Sequence, residues 1–513
     1  DNLFGKLGGS VLVGGNLMHW QQSELNGSAG TLKVPNLFSV TNSAGNPTVA
    51  QASSQKKINS VYGSVELNYD GYLFLSGTAR NDWSSALSRR NNSFFYPSVS
   101  LSYVFSDMIT QMGGSLPSWF SYGKLRASYA AAGSDLDPYQ LYNTYTIGTD
   151  PNGNTTAGRN GTLYNDSVKS QLIKSYEAGG EFRFFKNKIG LDISVYKSDA
   201  TNQIIFLPLD PLSGYTNKII NAADVRNKGI EITADARILE NPRSLNWSMN
   251  VNFSHNRTTV PYIYPEVEKY QLPGGGFDNI QILAVAGQPY GEIYGTKLMR
   301  VADAKDANYG QLILTNSGLP QATTDISRLG NQQANELLGF TNSFSYKGFG
   351  LSIQLDARFG GKIFSQTLDN MERNGTAAVT GGTRDSMIVK GVSLDPTTNQ
   401  YAANTKRIST QQYWGAVAGS GNTGITEENL YDATNVRIRN IQLSYSFPRA
   451  MLNRSFIQKA VVSVSCNNVW LITSHMRGLD PESVFAAGTP SVGFENASPP
   501  TSRVFYINFS VGF

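Results

Sequence analysis

The amino-acid sequence predicts an all-β protein, an antiparallel sheet closed into a transmembrane β-barrel. Segments of about ten residues alternate apolar and polar side chains, and the connections between them alternate short and long. No apolar run approaches the ~18 residues that a membrane-crossing helix needs. The last ten residues show the pattern plainly. Phe505, Ile507, Phe509, Val511 and Phe513 fall on one face, and Tyr506, Asn508, Ser510 and Gly512 on the other, because successive side chains of a strand point to opposite sides.

Composition agrees with this class. A mean hydropathy of −0.27 suits a barrel, in which only every second strand residue meets lipid. Gly (50), Tyr (26) and Phe (25) are abundant and charged residues make up only 16%, which fits aromatic girdles and Gly/Asn-rich loops better than a soluble helical enzyme. A net charge of +4 over 513 residues is too small to imply a nucleic-acid partner. The single cysteine, Cys466, excludes an internal disulfide framework and a Cys-based zinc cluster, and reads as a small apolar residue of a strand. No signal peptide opens the chain, so an exported protein is expected to have a processed or missing start.

About fourteen strands are expected, near 5–18, 57–69, 71–82, 95–105, 122–131, 172–185, 188–200, 226–238, 245–256, 336–346, 348–361, 434–447, 458–470 and 501–513. Several alternate cleanly. Ile230, Ile232, Ala234, Ala236 and Ile238 oppose Glu231, Thr233, Asp235 and Arg237; Leu245, Trp247, Met249, Val251 and Phe253 oppose Asn246, Ser248, Asn250 and Asn252. Phe349, Leu351, Ile353, Leu355 and Ala357 oppose Ser352, Gln354, Asp356 and Arg358. A charge facing lipid at mid-bilayer costs ~2–4 kcal/mol, so the polar set is expected to face an enclosed lumen. The candidate lumen-lining residues are Glu66, Glu181, Arg183, Asp192, Glu231, Asp235, Arg237, Asn250, Asn252, Gln354, Asp356, Arg358 and Gln442. For any one of them, a bracing role in the barrel wall competes with contact to a solute.

Asp70-Gly71 reads as a two-residue hairpin turn, and Asn187-Lys188, Asn241-Pro242-Arg243 and Lys347-Gly348 as similarly tight connections. Long segments near 19–56, 132–171, 201–225, 257–335 and 362–433 are expected as extracellular loops, and 106–121 as a longer periplasmic turn. The strand at 434–447 is untidy. With Ile441, Leu443, Tyr445 and Phe447 facing lipid, simple alternation turns Arg437 and Arg439 outward as well, so both are expected above the membrane at the extracellular rim. Trp83, Trp247 and Trp470 are candidates for the interfacial girdle.

Five short stretches in order resemble one family. Arg80-Asn81-Asp82-Trp83-Ser84-Ser85 with Phe95-Tyr96-Pro97-Ser98, Leu125-Arg126-Ala127-Ser128-Tyr129, Asn227-Lys228-Gly229-Ile230-Glu231, Gly287-Gln288-Pro289-Tyr290-Gly291-Glu292-Ile293-Tyr294-Gly295, and Val436-Arg437-Ile438-Arg439-Asn440-Ile441-Gln442-Leu443-Ser444-Tyr445 are similar to signatures of SusC/RagA-type TonB-dependent outer-membrane transporters. The resemblance implies a 22-stranded barrel with an N-terminal plug. Residues 1–513 then correspond to the C-terminal barrel portion, with the plug and first strands outside this chain. It also implies localisation in the outer membrane, import of an oligosaccharide or peptide nutrient, a SusD-like surface lipoprotein partner and coupling to the TonB system through the plug. One departure is that Thr315-Asn316-Ser317-Gly318 lacks the carboxylates of the family's calcium-loop-like stretch, which argues against a metal there.

His19, His255 and His475 are scattered without metal-ligand spacing, and no G-x-S-x-G elbow or P-loop occurs. No catalytic residue, metal or cofactor is therefore expected, and the resemblance implies binding and gated translocation rather than an enzyme's activity. Two other readings fit the pattern: a self-contained 14-stranded passive channel, which requires the first strand to pair with the last, and a SusC-like structural subunit of a larger outer-membrane assembly.

Overall fold

The computed structural model describes every residue except 1, 242–243, 266, 383, 420–422, 454 and 477. Fourteen long strands form one sheet: β1 (Leu7–Ser28), β2 (Thr48–Tyr69), β3 (Leu73–Ser84), β4 (Ser93–Tyr103), β5 (Phe120–Ser134), β6 (Gln171–Phe184), β7 (Ile189–Pro208), β8 (Asn217–Leu239), β9 (Asn246–Ile263), β10 (Glu336–Tyr346), β11 (Phe349–Phe359), β12 (Asn435–Ser446), β13 (Lys459–Ser474) and β14 (Val504–Gly512). Strand order in the sheet follows chain order, with two short additions at Asn2–Phe4 and Thr162–Leu163. Among the described residues no ladder joins β1 to β14.

All fourteen expected strands are present, but two loop expectations need correction. β1 and β2 pair from Leu7↔Tyr69 to Ser28↔Thr48, so most of 19–56 is ladder and the connection shrinks to 29–47. In the same way β7 runs on to Pro208 and β8 begins at Asn217, leaving only 209–216 of the loop expected at 201–225. A 22-residue strand is roughly 70 Å long, against a hydrocarbon core of ~30 Å. Outside the hydrocarbon neither face must be apolar, so Gln21, Gln22, Ser23 and Glu24 carry no alternation although the backbone pairing continues.

The turns follow backbone chemistry. Asp70 and Gly71 both have positive φ (52° and 73°), the type I′ geometry whose twist matches the flanking strands. Lys347 and Gly348 repeat it at 47° and 89°. The connection at Asn187-Lys188 is longer than expected: Phe185, Lys186 and Asn187 all have positive φ. Of the turn expected at Asn241-Pro242-Arg243, the last two residues lie outside the described set. The 106–121 connection carries a short helix, α1 (Phe105–Gln111).

Contacts divide the chain into two units. The first comprises Asp1–Asp107, Leu125–Ala178 and Ser198–Asp224. Its register aligns Leu67, Leu75, Leu101 and Ala127 in one row, while the neighbouring row is Ser10, Glu66, Ser76, Ser100 and Ser128. Its buried apolar cluster joins Leu87, Phe94, Leu136, Leu141, Val168 and Ile219.

The second unit comprises Met108–Lys124, Gly179–Lys197 and Val225–Phe513. Here Trp247, Phe344, Leu351, Leu443, Val464 and Ile507 form an unbroken apolar row across six strands. One residue away run Ser248, Ser343, Ser352, Gln442, Ser465 and Tyr506. The connections of this unit are themselves folded. Lys269–Phe277, Ile280–Val285, Glu292–Gly295 and Ser327–Asn331 make a four-stranded sheet, packed through Ile280, Ile282 and Ile293 against Phe364 and Phe494. Helices α2 (Gln366–Arg373) and α3 (Thr410–Ala418) complete the β11–β12 connection.

Burial is inverted relative to a water-soluble protein. Many large apolar side chains on the strands are exposed, such as Leu17 (83%) and Phe509 (77%), whereas Ile293 and Phe364 in the connections are fully buried (0%). Contiguous exposed apolar rows of this kind require hydrocarbon around them.

Candidate functional site: the polar face and its ion network

The candidate residues enter the polar face singly and in groups. In the first unit, Glu66 sits in a row of serines and accepts from Ser10 Oγ at 3.4 Å. In the second, Arg183 bridges two carboxylates, Glu181 at 3.2 Å and Asp235 at 3.0 Å. Asn250 and Asn252 are joined at 2.7 Å, with Thr233 Oγ1 donating to Asn252 Oδ1 at 3.1 Å. Arg237 meets Glu240 at 3.6 Å in an exposed pair. Asp192 is half-buried on β7 and Glu231 exposed on β8, and Gln442 takes its place in the serine row of β9–β14.

The densest constellation forms around Gln354, Asp356 and Arg358 on β11. Gln354 Nε2 donates to Asp356 Oδ1 at 3.3 Å. Arg439 Nε reaches Asp356 Oδ2 at 2.7 Å, and its two terminal nitrogens hold Glu482 at 2.8 and 3.1 Å. Arg437 donates to Asp480 Oδ1 at 2.7 Å and lies 3.2 Å from Glu482 Oε2. Arg358 Nε is 3.4 Å from Glu482 Oε1. Three guanidiniums therefore face three carboxylates, and Glu482 touches all three arginines. Arg437 is only 3% exposed, a depth at which an unpaired charge is not tolerated.

This corrects the outward orientation expected of Arg437 and Arg439, which turn to the polar face. The cause is a β-bulge. Gln354 pairs Asn440 while Leu355 pairs Ile438, so Arg439 is an extra residue and parity resets at that point. The arginines at two nominally lipid-facing positions were themselves the sequence signal for it. Asp480 and Glu482 escaped notice because the segment 475–503 has no periodicity. The carboxyl of Asp480 would be raised by burial alone. Hydrogen bonds from Arg437, from the Thr501 hydroxyl and from the backbone amides of Glu482 and Thr501 overcome this and hold it well below the usual carboxylate range. The network thereby fastens 478–503 to β11 and β12. Arg358 also lines a cavity of about 330 Å³ with Gln332, Lys362 and Val492.

Several resembling motifs acquire physical roles. Arg80 Nε pairs with Asp82 Oδ1 at 2.7 Å, and Tyr96 Oη donates to Asp82 Oδ2 at 2.5 Å, which ties the Arg-x-Asp stretch to the Phe-Tyr-Pro-Ser stretch. A Cβ on Gly229 would lie 2.5 Å from the Tyr196 ring and 2.7 Å from the His255 carbonyl oxygen. Glu292, fully buried, is gripped by Arg328 through Nε and, at 3.1 Å, through Nη2. His255 Nδ1 lies 2.9 Å from Glu336 Oε1 at a partly exposed position.

A two-sided sheet with lipid-facing rows, a charged opposite face and folded connections defines an outer-membrane β-barrel protein. The chain belongs to the TonB-dependent receptor-like β-barrel family, whose model matches residues 2–309. It is similar to TonB-dependent receptor P3 of Formosa agariphila, 24% identical over 509 residues that cover 94% of this chain and 48% of that protein. TonB-dependent receptor P39 of the same organism is 22% identical, over 91% of this chain and 47% of that protein. Among solved structures, the RagAB peptide importer in its closed-closed state matches with a TM-score of 0.77 at 17% identity, over 99% of this chain and 54% of that one. Its open-open state gives the same score over 100% and 53%. At such identity the likeness concerns the fold. The chain spans about half the length of the curated relatives it matches.

Proposed function

We propose that this chain is the C-terminal barrel portion of a TonB-dependent importer that carries an oligopeptide or oligosaccharide nutrient across the outer membrane with a SusD-like lipoprotein partner. The observation that carries the reading is the register itself: apolar and polar rows run unbroken side by side across the strands of a family member. In this reading Glu66, Glu181, Arg183, Asp192, Glu231, Asp235, Arg237, Asn250, Asn252, Gln354, Asp356, Arg358 and Gln442 face the passage. The paired ones, such as Arg183 and Asp356, brace its wall, and the chemistry is solute binding and release with no bond made or broken. A peptide substrate gains support from the similarity to a structure described as a peptide importer. The test is uptake by the native cell of labelled oligopeptides and oligosaccharides before and after gene deletion, with the proton gradient intact or collapsed. Gradient-dependent uptake lost on deletion is the expected result; unchanged uptake of every solute overturns the reading. Recovery of a surface lipoprotein with the purified full-length protein tests the partner.

A further inference from the structure

The β11–β12 connection contains a polar cavity of about 350 Å³ lined by Glu372, Arg373, Arg384, Ser409, Gln411 and Trp414, within the size range of small-molecule sites. Two of these residues are cations with little local compensation. Arg373 closes the last turn of α2 and donates to Asn370 Oδ1. Arg384 folds back on the turn that follows α2, donating to the Gly375 carbonyl oxygen at 3.0 Å. Neither forms an ion pair with a carboxylate among the described residues. A guanidinium has five donors in a fork, so each retains most of its capacity. Glu372 is the one lining carboxylate of the six, and it is buried, with Oε2 engaged by Asn429 at 2.8 Å. Asp369 on the same helix is buried and pushed up to about 7 by that burial, so at neutral pH it offsets Arg373 only in part. Ser409 and Gln411 belong to the start of α3, whose dipole adds positive potential. Trp414 supplies an aromatic surface.

We propose that this cavity is a carboxylate-recognition subsite for an oligopeptide substrate, with Arg373 and Arg384 taking a free carboxylate and Trp414 packing against the adjoining residue. The inference rests on the importer reading and names the part of the solute that is recognised outside the strands. Bidentate guanidinium–carboxylate pairing provides the selectivity.

The experiment is calorimetric binding to purified full-length protein of an acetylated tetra-alanine with a free C-terminus, the same peptide amidated, and trigalacturonate. The free acid is expected to bind at least tenfold tighter than the amide. R384A and R373Q should each lose about tenfold for the free acid, and W414A should weaken both peptides. A K305Q variant, altered elsewhere on the loops, should match the unaltered protein and so separate site loss from loop damage. Equal binding of acid and amide, absence of peptide binding, or unchanged affinity in both arginine variants overturns the subsite, and tighter binding of trigalacturonate overturns its assignment to peptides. Failure here with gradient-dependent uptake intact removes the subsite alone. Binding without uptake removes the importer reading instead.

Discussion

At the residue scale, two carboxyl groups in the connections, the buried Asp369 and the half-buried Asp480, carry opposite pH signatures. Asp369 is raised from 3.8 to about 7, chiefly by burial, and its Oδ1 has no hydrogen-bond partner among the described residues while Gln366 donates to Oδ2 at 3.0 Å. Its folded value exceeds the unfolded one, so the native state binds the extra proton and stability falls as pH rises from about 4 to about 7, by roughly 1.4 kcal/mol per pH unit within that window. Hydrogen exchange in 366–373 should therefore speed up between pH 4 and 7, and D369N should abolish the dependence. Asp480 has the reverse sign. Its depressed value stabilises the fold above the ordinary carboxylate range and the contribution is lost as pH falls through the folded value. Amide protection around Ser483 and Thr501 should thus weaken only in acid. Gly229 makes a steric prediction: G229A forces a Cβ into Tyr196 and a backbone oxygen, at a cost of about 1–3 kcal/mol, readable as a reduced folded fraction in heat-modifiability gels.

At the scale of elements, the bulge at Arg439 and the segment it holds form one device. A bulge turns both arginines onto the polar face, where Glu482 satisfies them together with Arg358. Removing that carboxylate leaves three clustered cations, one of them buried. E482Q is expected to destabilise the anchoring of 478–503 by about 3 kcal/mol, seen as new protease cleavage within 478–503 while the strands stay protected. The fourteen strands were legible in the sequence because lipid on one side and water on the other impose alternation on every residue they touch. Simple alternation turns Arg437 and Arg439 outward because one inserted residue inverts parity, and the two charges at nominally lipid-facing positions are its only mark in the periodic pattern. The upper halves of β1 and β2 were missed for a related reason: above the hydrocarbon both faces meet water, so Gln21 to Glu24 alternate with nothing.

At the scale of the whole molecule, the decisive property is the difference between adjacent rows. Leu443 lies in the apolar row and Gln442 in the serine row. Arginine at 443 should cost about 2–4 kcal/mol in lipid, and far less at 442. Equilibrium folding of the L443R and Q442R variants into vesicles measures the contrast, and equal costs would falsify the two-sided sheet. The candidate site was legible only in part. Periodicity identified Glu181, Arg183, Asp235, Asp356 and Arg358 as polar-face residues, yet it carried no information on which of them meet. The cavity with Arg373, Arg384 and Trp414 lies in a connection whose composition looked like irregular loop.

By itself the sequence determined the membrane class, the number of long strands and the identity of the polar face, since those follow from a local rule repeated every two residues. Only the tertiary structure decided where Arg439 breaks that rule, which distant carboxylates neutralise the arginines, and how the long connections fold around Ile293 and Phe364. These depend on contacts between residues far apart in the chain, set by side-chain volume and charge pairing in three dimensions, and no period along the sequence encodes them.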